Sequence, residues 1–195
     1  MYVRDAKNRD EVWMLDRIEE LGFEDPAFRS RDYVIALDEE TGQKAGFGRY
    51  RIHKDDAGVE SCELTAIAVL PEWRNEGVGA HVVERLVEKT RDMGFEEVYA
   101  LTGTAGYLVQ FGFETIPEDE LPGPLRERLE TVRGRVDPDA TPLRLRVADF
   151  EMPRRLRERF KHAAEGEEER VPEETPEDFG IDPESATYKY DTGRH

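Results

Sequence analysis

The stretch Arg74-Asn-Glu-Gly-Val-Gly-Ala80 sets an arginine and two glycines at the start of an apolar helical period. Glycine lets backbone N–H groups come close to a ligand, and a helix N-terminus favours an anion. These residues therefore suit the holding of a phosphate or pyrophosphate. The same glycines would also suit a helix start that only needs flexible residues. The stretch is neither a Walker loop nor a three-glycine dinucleotide fingerprint, since neither Gly-Lys-Ser/Thr nor a third glycine follows. Arg29 and Arg31 form a second chemical feature. Two arginines in an acidic chain can clamp a carboxylate, although such residues more often pair with surface acids. His53, His81, His162 and His195 have no metal-ligand spacing, so no metal is expected. Cys62 is the only cysteine and sits in an apolar run, where it reads as a small buried hydrophobe.

These residues need elements to position them. Residues 63–69 are rich in β-branched and apolar types, with apolar side chains on both faces from Ala66 onward, as in a central strand covered on both sides. Pro71 breaks that strand. From Val78 the period changes: Val78, Val82, Leu86 and Met93 share a helical stripe with Val83 and Val87 beside it, and Gly94 closes the helix. Upstream, residues 2–4 predict a strand and residues 10–21 a helix facing inward through Val12, Leu15, Ile18 and Trp13. Residues 33–38 and 44–53 predict two strands joined by a turn. Downstream come a strand at 97–102, a short helix at 104–111, a strand at 113–116, a surface helix at 125–132 and a last strand at 142–147. The order predicts a mixed α/β sheet rather than a strictly alternating one.

The net charge is −17, from 45 acidic against 28 basic residues, which argues against binding nucleic acid. Most of the basic residues are arginine. A Glu/Asp-rich, Lys-poor composition resembles that of proteins from salt-loving archaea, where salt screens self-repulsion. The bland alternative is an ordinary acidic cytosolic protein. No apolar run approaches the ~18 residues of a membrane span. The expectation is a cytoplasmic protein with no membrane partner. Residues 1–149 are read as one domain and residues 150–195 as a C-terminal extension. The extension holds a basic amphipathic helix at 152–164, an acidic, proline-containing run at 165–178, and then Phe179, Ile181, Tyr188 and Tyr190. It is either a solvated tail or a strap that docks on the domain or on a second copy in a homodimer.

The run Arg-x-x-Gly-x-Gly-Ala, carried by Arg74, Gly77, Gly79 and Ala80 directly after an Ala-Val-x-Pro strand end, resembles the acetyl-CoA signature of the GNAT family of N-acetyltransferases. Leu-Thr-Gly-Thr-Ala-Gly-Tyr-Leu-Val-Gln-Phe-Gly-Phe from Leu101, followed by Leu121-Pro122, resembles the amino-acid acetyltransferase branch, which includes N-acetylglutamate synthases. The resemblance does not extend to an amino-acid kinase domain. It implies the GNAT fold: an α/β architecture with a mixed, mostly antiparallel central sheet flanked by helices. It implies acetyl-CoA as cosubstrate, with its pyrophosphate at Arg74, Asn75, Glu76, Gly77, Val78, Gly79 and Ala80. Ile67, Ala68 and Val69 would pair through their backbone with the pantetheine arm, and one of their N–H groups would polarise the thioester carbonyl. Glu63 matches the strand glutamate that acts as general base in some members. Tyr107 is the candidate general acid, although the family's tyrosine position falls on Leu108. Arg29 and Arg31 lie in the segment that usually recognises the acceptor. The implied reaction is acetyl transfer to a primary amine, such as that of an amino acid, by direct attack in a ternary complex. The alternatives are a protein or peptide acetyltransferase and a non-catalytic CoA-binding module.

Overall fold

The structure, a computed structural model, describes residues 1–23 and 27–163. The acidic run and the four spaced apolar residues of the C-terminal extension lie outside these residues. In chain order the elements are β1 (Tyr2–Asp5), α1 (Glu11–Glu20), β2 (Tyr33–Leu37), β3 (Lys44–Lys54), β4 (Glu60–Val69), α2 (Val78–Asp92), β5 (Glu97–Thr102), α3 (Ala105–Val109), β6 (Glu114–Thr115), α4 (Gly123–Arg135), β7 (Thr141–Arg146) and α5 (Arg154–His162). The strands form one sheet in the order β1-β2-β3-β4-β5-β7-β6. Every neighbouring pair is antiparallel except β4 and β5, which run parallel. This is the mixed α/β sheet expected from the order of elements, mostly antiparallel as the family resemblance implies.

The period-2 pattern of the strands decides which helix covers which face. Val34, Ala36, Cys62 and Leu64 turn one way and bury Val78, Val82, Val83 and Leu86 of α2. Tyr33, Ile35 and Phe47 turn the other way, under Met14 and Ile18 of α1. On that second face, Tyr99 and Leu101 of β5 meet Leu125, Leu129 and Val132 of α4. Gly48 lets α2 come down onto the sheet, because a Cβ there would lie 2.7 Å from Val82 Cγ1 and 2.9 Å from Leu86 Cδ1.

Some expected faces differ. Ile18 is buried and Trp13 sits edge-on to Phe47 at 5.9 Å as expected, but Val12 and Leu15 point to solvent and α1 buries Met14 in their place. The spacings 12-15-18 and 14-18 are both helical, and which one turns inward is decided by Phe47 and Ile35, not by the helix itself. α4 is not a surface helix: Leu125, Leu129 and Val132 are buried at i, i+4, i+7 spacing. Met93 lies beyond the end of α2 and is exposed. The strand expected at 113–116 shrinks to Glu114–Thr115, while Phe113 and Ile116 on either side are buried.

α5 packs in the same compact unit as the sheet, a unit that runs from Met1 to Ala164. Leu156, Phe160 and Ala163 are buried, the spacing that the sequence gives an amphipathic helix. Phe160 stacks on His81 of α2 at 3.9 Å between ring centroids, and Arg157 pairs with Glu84 at 2.7 Å. The Leu156 carbonyl rests where a Cβ of Gly77 would stand. Gly77 has φ +76°, so both its backbone conformation and its missing side chain are used here.

Candidate active site

β4 carries an irregularity at its C-terminal half. Ala68 pairs with Phe47 and Thr65 with Arg49, so Ala66 and Ile67 together stand opposite the single residue Gly48. Ala66 has φ +49°, a left-handed conformation that costs an alanine energy. Such a bulge bends a strand and frees a residue from the ladder. The strand also parts from its parallel neighbour: Glu63 and Tyr99 are the registered pair of β4 and β5, and beyond them the strands diverge.

The gap is a cleft of about 250 Å³. Leu64, Thr65, Ala66, Ile67 and Val69 form one wall, and Ala100, Leu101, Thr102 and Thr104 form the other. Tyr33, Arg49, Arg128 and Asp137 also line it. A second groove, of about 400 Å³, runs over the loop before α2 and is lined by Trp73, Arg74, Asn75, Gly77 and Val78, together with Gln110, Arg155, Leu156 and Arg159. Val69, Gly79 and Tyr107 border both cavities, so the cleft and the groove meet at the N-terminus of α2. The loop reaches α2 through two left-handed residues, Asn75 at φ +68° and Gly77 at φ +76°. That turn presents the first amides of a 15-residue helix, a setting that favours an anion.

Glu63 is 1% exposed and does not line the cleft. Its Oε2 lies 2.8 Å from His53 Nε2 on β3 and 3.5 Å from Arg128 Nε on α4. Arg128 borders both the carboxylate and the cleft. The carboxylate therefore faces an imidazole and a guanidinium rather than an apolar wall. Cys62, the preceding residue, turns to the opposite face; burial and then the nearby Glu63 charge push its thiol up to about 12, so it is an inert core residue.

Tyr107 reaches the site despite its one-residue offset from the family position. The helix α3 is only five residues long, and Thr104 before it is not helical, so an angle counted along a regular helix does not locate this side chain. A Cβ on Gly79 would lie 2.6 Å from the Tyr107 hydroxyl, which places that hydroxyl at the junction of cleft and groove. Burial pushes the phenol up to about 12, so it carries its proton at neutral pH.

The structure brings Ile67, Val69, Arg74, Asn75, Gly77, Val78, Gly79 and Tyr107 to the two cavities. Ala68, Glu76 and Ala80 do not line them. Arg29 and Arg31 are not in the cleft either: Arg29 bonds Asp32 at 2.9 Å, and Arg31 is exposed. The arginines that line the cleft are Arg49 and Arg128, which sequence reasoning missed. Arg49 follows the inward Phe47 at i+2 along β3, so the period-2 pattern puts both on one covered face, a signal that could have found it. Among the described residues there is no cluster of His, Cys, Asp or Glu that could hold a metal, and no helix is long and apolar enough to cross a membrane.

Comparison with known proteins agrees with this geometry. An amino-acid acetyltransferase of Neisseria meningitidis is 33% identical over 70 residues, covering 35% of this chain and 16% of the relative. The chain thus spans about a sixth of the length of such relatives. The N-acetylglutamate synthase of Neisseria gonorrhoeae, solved with coenzyme A and N-acetyl-glutamate, superposes with a TM-score of 0.60 at 22% identity over 74% of this chain and 34% of that one. Rv2747 of Mycobacterium tuberculosis, solved in complex with CoA, superposes with a TM-score of 0.61 at 19% identity, covering 74% of this chain and 98% of that one. These likenesses establish the fold. The acetyltransferase (GNAT) family matches residues 2–113, from β1 through the glycine loop to the end of α3 and the Gly-Phe pair after it, and the chain belongs to that family.

Proposed function

We propose that the protein is an acetyl-CoA-dependent N-acetyltransferase whose acceptor is a small primary amine that carries a carboxylate, as an amino acid does. One observation carries the reading: a cleft between diverging strands joins the anion-favouring loop at Gly79 to a region lined by Arg49 and Arg128. Arg49 lies 3.5 Å from Asp32 and Arg128 3.5 Å from Glu63, and each forked guanidinium has donors beyond that contact to offer a carboxylate acceptor. The amino-acid acetyltransferase relatives support the same class. The acid-rich, lysine-poor composition supports work in a salt-rich cytoplasm.

Acetyl-CoA supplies the acetyl group as a thioester. The amides of the loop that leads into α2 hold its pyrophosphate, and the bulged stretch Ala66–Val69 takes the pantetheine arm along its backbone. An N–H at the bulge polarises the carbonyl as the amine nitrogen bonds to it and the carbon–sulfur bond breaks. Glu63 receives the amine's proton through a water, since it is too deeply buried for direct contact. The Tyr107 hydroxyl donates to the leaving thiolate. An ordinary thiol titrates near ~8.5, so solvent can substitute for this donor. Tyr107→Phe is accordingly expected to lower turnover by no more than about tenfold at neutral pH and more at alkaline pH, where solvent protonates a thiolate poorly. A rate that is unchanged across the pH range would remove Tyr107 from the reaction.

The reading is tested by thiol release from acetyl-CoA with a panel of free amino acids, their decarboxylated amines and short peptides. Amino acids are expected to turn over, and the amines lacking the carboxylate to be poor. Arg128→Met is expected to raise the acceptor KM by roughly 10–100-fold, the cost of losing a charge-assisted contact, while acetyl-CoA affinity holds. Turnover of peptides alone would replace the small-molecule reading with a protein acetyltransferase.

A further inference from the structure

We propose that α5, the basic helix after the sheet, is part of the cosubstrate site, with Arg155 and Arg159 binding the phosphates at the 3′-phospho-ADP end of coenzyme A. The inference rests on the cosubstrate reading above and adds residues beyond the family's glycine loop. The groove at that loop is closed on one side by α5, which contributes Arg155, Leu156 and Arg159 to its lining. With Arg74 the lining holds three arginines and no carboxylate.

Charge makes this concentration meaningful. The chain carries −17, and coenzyme A is a polyanion, so long-range repulsion opposes binding. α5 places Arg154, Arg155, Arg157, Arg159 and Lys161 within nine residues, against one acid, Glu158. Not all of them serve the groove. Arg157 is paired with Glu84, and Lys161 lies 3.6 Å from Glu158. Arg155 and Arg159 differ: the first donates to Gln110 Oε1 at 2.6 Å and the second to the Asn75 carbonyl at 3.3 Å. Both contacts orient a guanidinium toward the groove without neutralising it, and among the described residues neither arginine pairs with a carboxylate. The two are spaced i, i+4, hence neighbours on one helix face.

The helix is also held firmly enough to present them. Leu156 and Phe160 are buried, Phe160 stacks on His81, and the Leu156 carbonyl abuts Gly77. The same residue that turns the loop into α2 is thus the seat of α5.

The test is calorimetry of coenzyme A and 3′-dephospho-coenzyme A with the full chain at two salt concentrations. In Arg155→Gln/Arg159→Gln, coenzyme A affinity is expected to fall by roughly 10–100-fold, with a shallower salt dependence. Arg157→Gln removes one charge from the same helix outside the groove and is expected to bind as the parent does. Arg155→Lys/Arg159→Lys keeps the charges and is expected to recover much of the loss. A smaller defect for the dephospho compound places the arginines at the 3′-phosphate, and an equal defect places them at the pyrophosphate. A folded double glutamine variant that binds coenzyme A as tightly as the parent, or more tightly, overturns the proposal. If the Arg157 variant shows the same loss as the double variant, the effect is general charge and the proposal also fails. A parent protein that binds neither compound overturns this inference together with the cosubstrate reading.

Discussion

Gly79→Asp is expected to abolish acetyl-CoA binding, a loss beyond about 100-fold in calorimetric affinity, while the protein stays folded. Two effects add. The first is space: a Cβ at this position would lie 2.6 Å from the Tyr107 hydroxyl and 3.2 Å from Val69 Cγ2, at the point where cleft and groove meet. The second is charge. Gly79 is the second residue of α2, and a carboxylate there occupies the positive end of the helix in place of the cosubstrate's phosphate. That same carboxylate favours the helix, so the melting temperature need not fall. Gly79→Ala separates the two effects, since it adds the Cβ without the charge and is expected to bind with an intermediate affinity. A folded aspartate variant with parental affinity would sink the assignment of the loop.

The second large effect is expected at Glu63. Glu63→Gln keeps the shape of the side chain but cannot take the acceptor's proton. Turnover is expected to fall by ~10²–10⁴-fold with acetyl-CoA affinity unchanged. Raising the pH is expected to restore part of the rate, because more of the acceptor amine is already unprotonated. Stability falls as well: Arg128 loses its buried counter-charge, a change that typically costs ~3–5 kcal/mol, and His53 loses its carboxylate hydrogen-bond partner. Assays therefore belong well below the lowered melting temperature. The ion pairs also supply the competing explanation, in which Glu63 only anchors Arg128. In that case the acceptor KM rises, kcat at saturation holds, and the pH profile keeps its shape. Parental kcat at every pH would make the carboxylate a positioning residue.

What could be read in the sequence was local. The glycine loop, the stripe of α2 and the amphipathic period of α5 lie within short windows, and their spacing alone gives a turn, a helix and a buried edge. The neighbours of Glu63 were not legible. His53 reaches it across the β3–β4 ladder and Arg128 from a helix far along the chain, and neither spacing carries a period. The acceptor arginines failed for the same reason. Arg29 and Arg31 look paired in sequence, yet the sheet turns Arg49 inward and α4 brings Arg128 to the same cleft. α1 shows the limit of periodicity itself, since two overlapping apolar spacings were present and Phe47 selected one of them.

The strand order β5-β7-β6 has a bearing on how the chain reaches this state. β6 is registered on β7 alone, and β7 lies between β5 and β6. During synthesis, β5 therefore waits with an open edge while α3, β6 and α4 are made, and the slot closes only once residue 146 has emerged. An exposed hydrogen-bonding edge of this kind invites pairing with another chain. Nascent or truncated forms ending before residue 141 are thus the ones expected to aggregate, and the last insertion is a long-range pairing of the sort that slows folding.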